Sequence, residues 1–254
     1  MRLTFLGTGT SQGVPVIGCK CDVCQSADPR DQRLRTSAMV EVDGQTLVID
    51  TGPDFRQQML RANPKTVDAV LFTHEHKDHI AGLDDIRAYN FISGEPANIY
   101  ATAQVQAALK REYHYAFSGD KYPGIPEFRL HDIRAEEPFR VGPTLITPIE
   151  VIHYFLPVLG FRIGDVAYIT DAKTIAPAEL KKLHDLDVLV LNALRQEPHI
   201  SHFNLEEALE LVKELKPKRA YFTHISHLLG LHADVSAGLP KGVFLAEDGL
   251  VVER

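Results

Sequence analysis

The chain has 254 residues, of which 44% are hydrophobic and 24% charged, a globular composition that excludes disordered, collagen-like and coiled-coil classes. Lys plus Arg number 27 against 34 Asp plus Glu, a formal net charge of −7. That balance disfavours long nucleic acid or an anionic lipid surface as partner.

Arg2 to Leu6 reads as a strand that runs into a glycine-rich loop, Gly7 to Gly13. A hairpin follows, Ala38 to Val42 and Thr46 to Asp50, turning at Asp43-Gly44, a dipeptide typical of two-residue turns. Asp54 to Ala62 is expected to be helical. Val67 to Phe72 is nearly all apolar and reads as a strand buried on both faces. Further helices are expected at Gln104 to Tyr113, Pro177 to His184 and Leu205 to Leu215. Further strands are expected at Leu145 to Val151, Val158 to Ile163, Ala167 to Thr170, Val188 to Leu191, Ala220 to Thr223, Val243 to Ala246 and Leu250 to Val252. Interleaved strands, helices and hairpins predict a layered α/β fold with mixed sheets. No linker divides residues 1–254, so one domain is expected. Ser118 to Pro126 is the loop-richest stretch and a candidate lid or contact surface. No run approaches the roughly 18 apolar residues of a membrane span, and Met1 to Ser11 carries no secretory pattern. The three cysteines, Cys19, Cys21 and Cys24, are odd in number and crowded. They make a poor disulfide framework and a good metal cluster, in keeping with a cytoplasmic setting.

Directly after the Val67 to Phe72 strand comes Thr73-His74-Glu75-His76-Lys77-Asp78-His79. Imidazole and carboxylate ligands suit Zn, Mn or Fe. His74 and His76 alternate on an extended segment and can face one position. Asp78 and His79, entering a helix, can face a second, which suits two adjacent metals. His153, Asp171 and His224 each stand just past an apolar run and can gather at the same sheet edge.

With Ile49-Asp50-Thr51-Gly52 upstream, this His-x-His-x-Asp-His set resembles the metallo-β-lactamase superfamily along essentially the whole chain. The resemblance implies an αββα sandwich of two mixed sheets flanked by helices. It implies that His74, His76 and His153 hold one divalent metal, that Asp78, His79 and His224 hold the other, and that Asp171 bridges them. It further implies that Asp50 orients ligands.

Cys19-x-Cys21-x-x-Cys24 lacks a fourth ligand for a closed, structural zinc in the loop at about 18–25. His227 is the expected fourth ligand and His232 its rival. The cysteines plus His224-Ile-Ser-His227 resemble the phosphoribosyl 1,2-cyclic phosphate phosphodiesterase branch. Leu6-Gly7-Thr8-Gly9-Thr10 is also similar to the tRNA 3′-end endonucleases of the same fold. Ser201-His202-Phe203-Asn204-Leu205 resembles the branch's substrate-side histidine segment, which implies that His202 binds phosphate or protonates the leaving oxygen. His199 competes for that role.

The expected activity is hydrolysis of a small phosphodiester, cyclic ones included, by a hydroxide bridging two Zn or Mn ions, with Asp78 and His202 as catalytic residues. Arg87 is a candidate phosphate contact. The alternatives are a tRNA 3′-processing nuclease, another hydrolase of the same fold, or a non-catalytic cofactor-biosynthesis accessory protein. The resemblance also suggests a homodimer. Gly7-x-Gly9-x-x-x-Gly13 departs from the dinucleotide fingerprint, and Pro15 stands where its helix would start. Lys216-Pro-Lys-Arg219 reads as a solvated turn.

Overall fold

A computed structural model describes residues 1–118 and 122–254. The chain begins with β1 (Arg2–Gly7), β2 (Ser37–Val42), β3 (Gln45–Ile49), α1 (Phe55–Ala62), β4 (Ala69–Leu71), α2 (Lys77–Ile80), α3 (Arg87–Ser93), β5 (Ala97–Ala101), α4 (Ala103–Glu112), α5 (His114–Phe117) and β6 (Phe128–Asp132). It continues with β7 (Phe139–Val141), β8 (Thr144–His153), β9 (Leu156–Ile163), β10 (Val166–Tyr168), β11 (Thr174–Ile175), α6 (Pro177–Leu180), β12 (Val188–Asn192), α7 (Leu205–Leu215), β13 (Arg219–Thr223), α8 (His232–Ala237), β14 (Val243–Leu245) and β15 (Val251–Glu253).

One sheet runs β15-β1-β2-β3-β4-β5-β6 and the other β11-β8-β9-β10-β12-β13-β14, with β7 beside β8. Strands β3 to β6 are mutually parallel, as are β10, β12, β13 and β14, while the hairpins pair antiparallel. Leu3, Phe5, Ile49, Ile146 and Phe161 lie in the core between the sheets. Val48, Val70 and Phe72 on the outer face of the first sheet pack against Phe55, Val105 and Leu109 of α1 and α4. Leu189, Leu191 and Phe222 of the second sheet pack against Ala208, Leu211 and Leu215 of α7. The result is the expected helix–sheet–sheet–helix sandwich.

Local chemistry explains the elements. All five residues of β12 are buried, as a central parallel strand requires. Asn204 and Glu207 form a reciprocal capping box at the start of α7, satisfying two backbone donors there. Asp43 and Gly44 both take positive φ, 51° and 76°, the turn that joins twisted antiparallel strands.

Several expectations are corrected. The strand expected through Thr170 ends at Tyr168, and the helix expected at Pro177 to His184 is a single α turn followed by a 3-10 turn at Lys181–Leu183. Short elements such as α3, which buries no side chain, carry too little apolar periodicity to be read from sequence. Lys218 and Arg219 pair with Asp187, as a solvated turn would. Of the candidate lid, residues 119–121 lie outside the described residues. Among the described residues, no helix is long and apolar enough to cross a membrane.

Candidate metal centre

The carboxyl ends of β3 and β4 meet those of β10, β12 and β13 at one edge of the sandwich, and the segments that follow carry the titratable groups. Three of those groups leave their strands in the left-handed region: Asp50 (φ 61°), Asp171 (φ 55°) and His224 (φ 55°). Non-glycine residues rarely adopt it, and such strain clusters at functional sites. Here it turns each side chain back toward the edge.

The short helix α2, which carries Asp78 and His79, is fastened to the segment after β3. The Thr51 N–H donates to the His79 carbonyl at 2.7 Å, and the Gly82 N–H donates to the Thr51 carbonyl at 2.8 Å. Gly52 makes this approach feasible, since a Cβ there would lie 2.1 Å from the Asp78 carbonyl oxygen.

The histidine tautomers follow from neighbouring hydrogen bonds. Buried Asp50 accepts from the Thr73 N–H (2.9 Å), the Thr73 hydroxyl (2.8 Å) and His79 Nδ1 (2.7 Å). The Thr73 oxygen in turn accepts from His74 Nδ1 at 3.0 Å. The Ser201 carbonyl accepts from His153 Nδ1 at 2.8 Å. Nδ1 is thereby engaged in all three imidazoles and Nε2 is the nitrogen that a cation would take, the arrangement that prepares histidine for metal binding.

Those nitrogens converge. His74 Nε2 lies 3.0 Å from His76 Nδ1, and the His76 ring centroid is 5.2 Å from that of His153. His79 Nε2 is 3.2 Å from both Asp78 Oδ2 and Asp171 Oδ2. His224 Nε2 is 3.2 Å from Asp171 Oδ1 and 3.7 Å from Asp78 Oδ2. Three overlapping groups each have ligand atoms within 4.8 Å: His74, His79 and Asp171; Asp78, His79 and His224; and His153, Asp171 and His202. Asp171 belongs to two of them. His79 Nε2 and both ring nitrogens of His224 are buried without a hydrogen-bond partner. Buried polar atoms are seldom left so, and this nitrogen and oxygen donor set fits divalent cations.

Charge is strongly coupled at this edge. Burial opposes ionisation of Asp171, but His224, His79 and the bond from His202 hold its carboxyl well below the ordinary range. Burial also opposes charging of His79, yet Asp171, Asp78 and Asp50 raise it well above the ordinary histidine value. Burial and the neighbouring His79 push His74 well below it.

His202 Nε2 donates to Asp171 Oδ1 at 3.0 Å, and its Nδ1 is 2.9 Å from the Ser201 hydroxyl. Burial pushes His202 down to about 4, against the pull of Asp171. His199 stands one layer behind, its Nδ1 3.2 Å from His202 Nδ1, so His202 is the member of the pair that reaches the carboxylate. Arg87 pairs instead with Asp84 at 3.2 Å.

A second cluster joins Cys19, Cys21, Cys24 and His227, whose ligand atoms lie within 4.8 Å of one another. His227 Nδ1 is 3.4 Å from Cys19 Sγ and 3.3 Å from Cys21 Sγ. The Cys24 backbone N–H and His227 lower the Cys21 thiol to about 6, while burial raises that of Cys24 to about 11. Three sulfurs and one nitrogen suit tetrahedral zinc. The rival His232 is engaged elsewhere: its Nδ1 accepts from Arg33 at 3.0 Å and its N–H donates to Asp31 at 2.7 Å. The glycine-rich loop is a strap, with Thr10 N–H donating to the Ile225 carbonyl and Ile225 N–H to that of Thr8.

Sequence reasoning missed the supports. Thr73 and Ser201 set tautomers. Asn192 clamps the turn beside Asp171, donating to the Ala172 carbonyl at 2.9 Å and accepting its N–H at 2.7 Å. A polar residue closing the otherwise apolar β12 was the available signal.

The fold is the metallo-β-lactamase sandwich, and the side chains gathered at its edge form a donor set that can hold divalent cations. A family model described as beta-lactamase superfamily domain matches residues 45–225. A crystal structure of a diphosphatase from the PhnP family aligns with a TM-score of 0.93 and 42% identity, covering 100% of this chain and 97% of that one. The chain belongs to the beta-lactamase superfamily and, within it, to the PhnP family. It is also 39% identical over 252 residues to an octanoyltransferase of Porphyromonas gingivalis, covering 98% of this chain but 51% of that protein. The chain thus spans about half the length of that relative. Zinc-bound PqqB from Methylobacterium extorquens shares the fold, with a TM-score of 0.80 at 21% identity and full coverage of both chains.

Proposed function

We propose that this chain is a metal-dependent hydrolase of small phosphodiesters, cyclic and diphosphate-linked ones included. The observation that carries the reading is the convergence of bare imidazole nitrogens on Asp171, with His202 on the same carboxylate. The diphosphatase named for the 42% identical relative supports phosphorus–oxygen bond cleavage. The transferase activity named for the longer relative is not carried over, since half of that protein has no counterpart here.

His74, His76 and His153 would hold one divalent ion, Zn or Mn, and Asp78, His79 and His224 the other, with Asp171 shared. Ions held there supply Lewis acidity for phosphoryl oxygens and lower the pKa of bound water. Asp50, Thr73 and the Ser201 carbonyl keep the ligand rings in one tautomer. Asp78 doubles as a catalytic group by fixing charge beside the reacting phosphorus. His202 has Ser201 on Nδ1 and its Nε2–H on Asp171; with Asp171 turned to bound cations, that N–H would hold a phosphoryl oxygen or supply the leaving oxygen's proton. Cys19, Cys21, Cys24 and His227 would hold a structural zinc that ties the N-terminal loop to the segment bearing His224. The single core shared by both sheets supports residues 1–254 acting as one domain.

The test is hydrolysis of bis(p-nitrophenyl) phosphate by Mn- or Zn-loaded protein. Turnover should depend on the metal and disappear in His74→Ala. A fully metallated protein that leaves the diester intact would refute the reading.

A further inference from the structure

The hairpin that follows His153 breaks a local rule. The register of β8 and β9 pairs His153 with Leu156, leaving Tyr154 and Phe155 as a two-residue turn. Turns of this length ordinarily place Gly, Asn or Asp where φ is positive. Here Tyr154 takes that position, at φ 59°. Neither ring is drawn into the core in return, because Tyr154 is 50% and Phe155 79% exposed. The two rings stand together, centroids 3.9 Å apart and planes inclined by 51°. Residues that break a local rule without a folding gain are expected at functional positions.

The location says which function. Tyr154 directly follows His153, whose ring centroid is 4.5 Å from that of His202. Through its Nδ1 bond to the Ser201 carbonyl, His153 is also tied to the segment bearing Ile200, 67% exposed. Three exposed apolar residues therefore adjoin, in the chain, the segments that carry the two histidines: Tyr154 and Phe155 follow His153, and Ile200 lies two residues before His202. Three residues fall far short of the roughly 20–30 per side of a standard protein interface, but they match the footprint of one planar ring.

We propose that Tyr154 and Phe155 form a stacking platform for a planar heteroaromatic group, such as a nucleobase, on the substrate whose phosphate lies at the metal centre. This deepens the phosphodiesterase reading and rests on it for the placement of the phosphate. Aromatic platforms bind bases through their π-faces with little dependence on base identity.

The test compares two ligands that differ only in the base: 2-aminopurine riboside 5′-monophosphate and ribose 5-phosphate. Both are titrated calorimetrically into metal-loaded protein. The absence of Trp from the chain also lets quenching of 2-aminopurine fluorescence report stacking. Wild type should bind the nucleotide about tenfold or more tightly than the sugar phosphate. Phe155→Ala and Tyr154→Gly should abolish that difference and leave ribose 5-phosphate binding unchanged. Tyr154→Gly should also melt at the same or higher temperature, because glycine relieves the strained φ; a merely structural turn would not combine unchanged or higher stability with lost binding. Equal affinity for the two ligands in wild type, or an unchanged preference in both variants, overturns the platform. So does conversion of a dimer to a monomer by Phe155→Ala with base preference intact, which would assign the patch to a second copy. Base-dependent binding in a protein that leaves every phosphodiester intact would sink the hydrolase reading while keeping the platform.

Discussion

His202 Nε2 and Asp171 Oδ1 lie 3.0 Å apart, although 31 residues separate them in the chain. The pair joins the segment after β12 to the turn after β10, and it places a histidine that is not among the expected ligands against the carboxylate that two ligand groups share. Replacing each member should have different consequences. His202→Ala should lower kcat by roughly 10²–10⁴, the range of a positioned proton donor, and leave metal content intact. Asp171→Ala should remove both activity and bound metal. Metal analysis beside steady-state kinetics separates the two; metal lost from His202→Ala would make His202 a ligand.

Ser201 serves three histidines: its carbonyl accepts from His153, its hydroxyl lies 2.9 Å from His202 Nδ1 and 3.2 Å from His199 Nδ1, and its N–H donates to His199. Ser201→Ala removes only the hydroxyl. The expected result is a fall in kcat of about two- to tenfold, the size of one neutral hydrogen bond, with unchanged metal content and recovery in Ser201→Thr. Loss of metal from Ser201→Ala would contradict this division of labour.

Gly52 has no room for a side chain. Gly52→Ala places a methyl group against the Asp78 carbonyl, so α2 must move. Overpacking of this kind costs about 1–3 kcal/mol. Thermal melts should show that loss, with weaker metal retention at the site carrying Asp78. An unperturbed melt would mean that the helix yields freely.

Metal counting tests the cysteine cluster. The wild type should hold one more zinc than Cys21→Ser, and that zinc should survive in His74→Ala. Its loss should destabilise the loop that carries the cysteines without changing the ligands around Asp171. Equal zinc content in wild type and Cys21→Ser would leave the cysteines as free thiols.

His232 gives a pH signature outside both clusters. Burial, reinforced by Arg33, depresses it from 6.5 to about 4. Between those values the unfolded chain binds more protons than the folded one, so stability should fall as pH drops from about 6.5 toward 4 and stay level above that window. Urea melts of wild type should show this slope, and His232→Gln should flatten it. An identical slope in the variant would remove His232 as its source.

Much of this arrangement was legible in the sequence because its signals are local. Four candidate metal ligands within His74 to His79 need no tertiary information to be noticed. His153, Asp171 and His224 stand out as polar residues ending apolar runs. The hairpin at Asp43-Gly44 and the capping box of α7 are written in neighbouring residues. Thr73, Asn192 and Ser201 were illegible because their partners are a distant carboxylate, backbone groups and histidine rings brought together only by the fold, and a lone polar residue carries no mark of such a partner. Tyr154 was illegible for a different reason: its oddity lies in a positive φ, which appears only once strand register is known.

The central claim is that the histidines converging on Asp171 hold metals that hydrolyse phosphodiesters. The most direct measurement is a metal titration of chelator-treated protein, with bis(p-nitrophenyl) phosphate turnover followed at each step. Zinc should first fill the cysteine cluster without activity, and turnover should then rise over two further equivalents of Zn or Mn, the rise being absent in His74→Ala. Turnover that saturates with the first equivalent, or that persists in His74→Ala, would contradict the claim.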